Sequence, residues 1–370
     1  MALTNFHLLR DPVSGEPLIG YFHKKDQSDR GGLTGVLRGS TREYPVLDGI
    51  VVFREDVATE TITTYAREGR LAAALFEALR IEKRSRRAAM NLLLRLKYPR
   101  ALHLNGSPYG GLSGAAGTYF RYRYSVPNVP AIIGALSCLK RSPSPEGYVL
   151  DVGSGFAHFY RYYLHAYPAE KIVLVDHSLE ALVTASRFID HRTLLVCCDA
   201  DYGLPLQKRV FSDITSFNAF QYFNAKERFV ENAIEALDAA SGTLWLTNNW
   251  NPKLTDQFFG PARTPSEWQA FCSSDKWRIF PEKHLTDPVL RGGLVNLGLR
   301  YVPQDDHPAW RCVTLVYSNV PWDVHTKFLP LNRTPKWQHL CYNSIYDRSA
   351  FSNRLLKRNI QLKFWDAHRE

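Results

Sequence analysis

Three acids and a pair of glycines between positions 148 and 203 carry most of the chemistry legible in this sequence. Asp151, Gly153 and Gly155 are spaced D-x-G-x-G in "LDVGSGFA", with Ser154 between the glycines and Ala157 where a third glycine often sits. Glycines at such positions let a chain turn sharply and let a ligand lie against bare peptide. Dinucleotide-binding folds use a similar turn, so the turn alone does not choose a ligand. Asp151 precedes the glycines, and a carboxylate there repels a pyrophosphate and receives an ammonium group. Asp176 ends the next apolar run, "KIVLVDHS", where a carboxylate accepts both hydroxyls of a ribose. That second position suits NAD equally, so Asp151 discriminates more. His177 follows directly and is grouped with the same ligand contacts.

In "CCDADYGLPL", Asp199 can accept from an adenine amino group while the backbone N–H of Ala200 meets the ring. An aminoacyl tail, a ribose and an adenine, with no phosphate, fit the three places together. S-adenosylmethionine (SAM) has those parts, and S-adenosylhomocysteine (SAH) remains once its methyl group has left.

Groups that face an acceptor are expected at the carboxyl ends of later strands. After "SDITSFNAF" these are Asn218, Gln221 and Tyr222; after "GTLWLTNN" they are Asn248 and Asn249. In-line displacement at a sulfonium asks mainly for alignment, and a base is needed only where the nucleophile carries a proton. The candidate catalytic groups are His158, Asn218 and Tyr222, with Asn218 also at the cofactor. A histidine beside a cofactor is more often a packing residue, which weighs against His158 and His177 as bases. In "TYFRYRYSVPNVP", Tyr119, Tyr122 and Arg123 read as lid residues touching substrate, or as stacking and phosphate contacts. Plain aromatic packing is the competing reading.

From Gly147 onward, runs suited to strands and helices alternate, which predicts an α/β fold with a mostly parallel sheet. The strands are "YVLDVG", "KIVLVDHS", "TLLVCCDA", "FSDITSFNAF" and "GTLWLTNN". A final antiparallel hairpin of "LRYVPQ" and "RCVTLVYSN" brings the number to seven.

Residues 147–318 resemble a class I SAM-dependent methyltransferase, carried by "LDVGSGFA", "LVDHS", "CDADYGLPL", "SDITSFNAFQYF" and "SGTLWLTNN". The resemblance implies a Rossmann-like domain, with Asp151, Gly153, Ser154 and Gly155 around the methionyl part, Asp176 and His177 at the ribose, and Asp199 and Ala200 at the adenine. The Asn-Pro-Pro-Tyr signature of enzymes that methylate exocyclic base amines is absent. At the N-terminus, "LLRDPVSGEPL" and "REYPVLDGIVVFRED" are similar to the small zinc-ribbon-like domain of methyltransferase activators, which also precedes some rRNA guanine methyltransferases. Metal-binding members carry cysteines where Asp11 and Ser14 stand here, so the fold is expected without metal.

The chain has 370 residues, 45% hydrophobic and 13% aromatic, which describes a folded protein with a sizeable core. Four sections are expected: a metal-free zinc-ribbon-like domain over 1–57, a helical linker and lid over 58–146, the catalytic domain over 147–318, and an aromatic, basic extension over 319–370. Six scattered cysteines form no C-x-x-C pair, and adjacent Cys197 and Cys198 read as small core residues. No apolar run is long enough for a membrane span and no signal peptide is evident, so a cytoplasmic location is expected. Of the net charge of +10, residues 67–100 contribute +7. They read either as a nucleic-acid face or as a helix burying Leu71, Leu75 and Leu79 beneath solvated arginines. The function expected is methyl transfer from SAM to an O, N or C nucleophile of a small molecule or peptide, in specialised metabolism, by a monomer or homodimer. The alternatives are an rRNA or tRNA methyltransferase using the basic region, and a non-catalytic methyltransferase-like partner protein.

Overall fold

The computed structural model describes residues 5–23, 33–85, 87–88, 132, 135–136, 138–139, 147–164, 166–187, 189–255, 260–291 and 295–322. Tyr119, Tyr122 and Arg123, and most of the C-terminal extension, lie outside them.

Five fully or almost fully buried strands run parallel at the centre: β5 (Tyr148–Val152), β6 (Ile172–Asp176), β7 (Leu194–Cys197), β8 (Phe211–Phe217) and β9 (Thr243–Trp250). The near-continuous apolar runs of β5, β6 and β7 suit strands covered on both faces, while β8 and β9 also bury polar side chains such as Asp213, Thr215 and Asn248. One face carries α1 (Glu60–Arg67), α2 (Leu71–Ala78), α3 (Tyr160–Tyr163) and α4 (Leu179–Ala185), whose Ile62, Leu75, Tyr163 and Leu182 pack on Val149, Leu174 and Leu195. The other carries α5 (Lys226–Ala236) and α6 (Pro265–Phe271), which bury Phe229, Ala233 and Trp268 against Leu150, Val173 and Leu244. Local signals start these helices. The Ser178 side chain accepts from Ala181 N at 3.2 Å to cap α4, and Thr264 with Glu267 forms a capping box on α6.

The sheet is larger than the seven strands expected. Among the described residues it has eleven, in the order β1-β2-β3-β4-β7-β6-β5-β8-β9-β11-β10. The additions are β1 (Ile19–His23), β2 (Thr34–Arg38), β3 (Glu43–Leu47) and β4 (Ile50–Val52), an antiparallel meander. Its last strand joins β7 in parallel, with Val52 opposite Cys197. The β3–β4 turn is the two-residue Asp48-Gly49, both at positive φ (+57° and +81°), as a type I′ hairpin requires. Leu47, Ile50 and Val52 share one apolar cluster with Leu174 and Leu195, so the N-terminal strands and the α/β unit bury a common core.

The expected final hairpin is corrected. β10 is Trp277–Pro281, not "LRYVPQ", and it pairs antiparallel with β11 (Cys312–Ser318) across α7 (Glu282–Arg291) and a long connection. Trp277 and Phe280 bring large apolar side chains to the core, whereas Leu299 and Val302 are exposed. Pro303 also lacks an N–H for a ladder; Pro281 is tolerated as the last residue of an edge strand.

Asp11 is 1% exposed. It accepts from Val13 N (2.9 Å), Tyr44 OH (3.0 Å), Ser40 N (2.6 Å) and Ser40 Oγ (2.8 Å). Burial pushes its pKa up, but these hydrogen bonds outweigh that and hold it at about 2. Among the described residues, no group of three His, Cys, Asp or Glu is arranged to hold a metal, and no helix is long and apolar enough to cross a membrane. In the basic region Leu75 is buried, with Leu71 and Leu79 packed on the same core. Arg67 pairs with Glu43, Arg70 pairs with Glu68, and Arg87 lies over the Phe76 ring.

Candidate active site

The parallel strands deliver their chemistry at one edge, where β5, β6, β7, β8 and β9 all end. After β5 the chain turns back over β6, with Gly153 N and Ser154 N donating to Val175 O at 2.8 and 3.0 Å. Gly153 sits at φ +78°, and a Cβ there would lie 2.2 Å from the Ala219 Cβ after β8. Gly155 sits at φ +54°, and a Cβ there would meet nothing within 4 Å. The turn therefore packs closely on Ala219 at Gly153 and presents bare peptide to open space at Gly155. Ala157 adopts the third positive φ, +59°.

Asp176 binds this turn to the end of β6. Its Oδ2 accepts from Gly155 N at 2.7 Å and its Oδ1 from Ser178 N at 2.8 Å. Each carboxylate oxygen keeps a further lone pair, which fits a ribose diol. The exposed His177 ring places Nδ1 at 3.5 Å from Asp176 Oδ1. The Ser154 hydroxyl is buried without a hydrogen-bond partner among the described residues. These observations fit an adenosyl ligand carried on the turn.

Asp151 is placed deeper than its part as an ammonium receptor suggested. It is 2% exposed, and Thr215 Oγ1 donates to its Oδ1 at 3.3 Å while Tyr163 OH reaches Thr215 Oγ1 at 2.8 Å. Burial pushes its pKa up, the Tyr163 and Thr215 hydroxyls pull it down, and Asp176 raises it again; the result is about 7. Burial therefore keeps this carboxyl protonated to a much higher pH than an open-chain Asp, and a cation beside it would drive the proton off. Beyond β7, Asp199 Oδ1 accepts from Asp201 N at 3.0 Å, and Ala200 is buried beside it. Asp201 accepts in turn from Asn224 N and Ala225 N at 3.0 Å, joining this loop to the start of α5.

At the ends of β8 and β9 the structure gathers three amides. Asn218, one residue past β8, and Asn248, near the end of the adjacent β9, both take positive φ (+57° and +64°). Gln221 Nε2 donates to Asn218 Oδ1 at 2.9 Å, and Asn248 Nδ2 donates to the same oxygen. Left-handed backbone at two buried non-glycine residues in contact is a strained arrangement of the kind found at functional sites. Asn249 is not brought to this cluster: its amide donates to Leu246 O (2.9 Å) and Val313 O (3.1 Å), bridging the irregular β9–β11 pairing. Tyr222 stands half exposed on the turn after β8. His158 is buried, edge-on to Phe156 at 6.2 Å and tilted against Phe159 at 6.4 Å.

Two residues went unremarked in the sequence. Lys226 is buried with its Nζ donating to Gln221 O at 3.0 Å and to Phe223 O, which anchors the turn carrying Gln221 and Tyr222. Burial, helped by Arg263, pulls its pKa to about 8. Arg54, just beyond β4, donates to His177 O at 2.5 Å. The first lysine of an amphipathic helix and a basic residue after a strand carry no local mark of such contacts.

Residues 149–240 match the family model of a methyltransferase domain. That span holds every cofactor position named above, together with His158, Asn218, Gln221 and Tyr222. No curated protein matches the chain. Among solved structures, the plantazolicin methyltransferase BpumL in complex with SAH is 13% identical, with a TM-score of 0.40 over 63% of this chain and 100% of that one. The complex between a Haloferax volcanii methyltransferase activator and a putative methyltransferase is 13% identical, with a TM-score of 0.37 over 54% of this chain and 93% of that one. A putative methyltransferase from Bacillus halodurans is 17% identical, with a TM-score of 0.36 over 51% of this chain and 98% of that one. The match to a methyltransferase-domain model, which implies SAM as the cofactor, thus falls on residues 149–240 of a Rossmann-like α/β sheet.

Proposed function

We propose that this chain transfers the methyl group of SAM to a nucleophile of a small molecule or peptide. The observation that carries the reading is the Asp176 carboxylate, fixed by Gly155 N and Ser178 N with lone pairs to spare, beside a glycine turn that faces open space at Gly155. Bound SAM would supply an electrophilic methyl group on a sulfonium. Gly153 to Gly155 receive the methionyl chain, Asp151 balances its ammonium, Asp176 takes the ribose hydroxyls, and Asp199 with Ala200 takes the adenine. The Asn218, Gln221 and Asn248 amides then align the acceptor, whose nucleophile attacks along the line of the bond being broken. None of these amides takes a proton, so the acceptor enters with a lone pair ready or loses its proton to water.

A small or peptide acceptor is favoured over RNA because the groups beside the methyl position are neutral amides. Several arginines of the basic region are engaged elsewhere: Arg67 on Glu43, Arg70 on Glu68 and Arg87 on Phe76. The test is transfer of radiolabelled methyl from SAM into an extract of the cells that make this protein, separated into RNA, protein and low-mass fractions. Ribonuclease-resistant label in the peptide or low-mass fraction is the expected outcome. Ribonuclease-sensitive label would overturn the acceptor class and leave the cofactor assignment standing.

A further inference from the structure

The strand that joins the N-terminal residues to the sheet ends beside the loop that carries Asp176. Because β4 runs parallel to β7, both leave the sheet at the same edge. Phe53 N donates to Cys197 O at 2.8 Å, prolonging the pairing by one step. Arg54 then emerges against the β6 loop and its Nη1 donates to His177 O at 2.5 Å. Its Nε donates to Asp56 Oδ1 at 3.0 Å and its Nη2 to Asp56 Oδ2, a two-pronged pairing that fixes the plane of the guanidinium. Burial works against the charge of Arg54, but the Asp56 carboxylate, followed by Cys197 and Asp199, more than offsets it. The guanidinium therefore stands in the field of Asp199 as well, between the loops assigned to ribose and adenine.

The carbonyl that Arg54 grips belongs to the peptide between His177 and Ser178, and the N–H of that same peptide donates to Asp176 Oδ1. A peptide unit is planar and rigid. Holding its oxygen fixes the direction of its N–H, and so the orientation of the carboxylate that Gly155 N grips from the other side. Hydrogen bonds in such a chain also polarise and strengthen one another.

We propose that Arg54 is a positioning residue for the cofactor, acting through the His177–Ser178 peptide on Asp176, which makes the N-terminal strands a working part of the adenosine site. This rests on the cofactor reading given above. Calorimetric titration of the full chain with SAH tests it, using Arg54→Ala, Arg54→Lys and Arg42→Ala. Arg42 pairs with Glu55, the chain neighbour of Arg54, and serves as the control for loss of a cation on this unit without loss of the bond to His177 O. Loss of a charge-assisted hydrogen bond predicts SAH binding about tenfold weaker in Arg54→Ala. Arg54→Lys, which keeps one donor, recovers part of that loss, and Arg42→Ala binds as the parent does. Thermal unfolding of each variant confirms that the fold is kept. Parent-like affinity in Arg54→Ala, or an equal loss in Arg42→Ala, overturns the proposal while leaving SAM as the cofactor. A folded parent that does not bind SAH overturns both.

Discussion

Asp151 ties cofactor binding to stability, and replacing it with asparagine separates the two. In an open chain this carboxyl ionises at 3.8, and in the folded protein at about 7, chiefly because burial disfavours its charge. The unfolded chain therefore releases this proton as pH rises through 3.8, while the folded one keeps it until about 7. Over that window rising pH favours unfolding, and each pH unit is worth about 1.36 kcal/mol, so the loss comes to about 4 kcal/mol. Asp151→Asn removes the ionisation without changing side-chain size. Its stability relative to the parent should be higher at pH 8 than at pH 4 by about that amount, measured by urea unfolding at both pH values. The same substitution removes the charge that faces the cofactor ammonium, so SAH affinity should fall. Parent affinity for SAH should itself rise from pH 6 to pH 8, because binding draws on the ionised carboxyl. A stability difference that does not change with pH, or parent-like SAH affinity in the variant, would refute this account of Asp151.

Asp176→Ala removes the acceptor of both ribose hydroxyls and should weaken SAH binding by tenfold or more, read by calorimetry. Asp11→Ala should cost about 2 kcal/mol of stability at pH 7, since a carboxyl lowered from 3.8 to about 2 stabilises the fold above 3.8; that contribution is lost as pH falls through 2, which urea unfolding at both ends of the range would register. Asn218→Gly keeps the positive φ at no steric cost but deletes the amide that joins Gln221 to Asn248. We expect SAH affinity within about threefold of the parent and methyl transfer at least tenfold slower, a pattern that marks loss of acceptor alignment.

The unit from β5 to β6 could be read in the sequence because all its determinants are local. Apolar runs, glycines that must turn and acids that end strands lie within thirty residues. The alternation of strands with helices after Gly147 follows from equally local runs, whereas the order of the strands within the sheet does not. What the sequence did not reveal depends on contacts between distant residues. Val52 meets Cys197 from well over a third of the chain away, and no residue near either marks the pairing, so the joining of β4 to β7 and the reach of Arg54 were both hidden. β10 was missed because an edge strand pairs on one side only and "WRIFP" is too short to show a period. Asn248 and Asn249 are neighbours of the same type, and only the β9–β11 irregularity separates an amide on the site from one on the backbone.

The central claim is that the glycine turn and Asp176 hold SAM and not a dinucleotide. Titrating the full chain with SAH and, separately, with NAD tests it most directly. The account predicts saturable binding of SAH and none of NAD. Saturable binding of NAD, or a folded chain that ignores SAH, would contradict it.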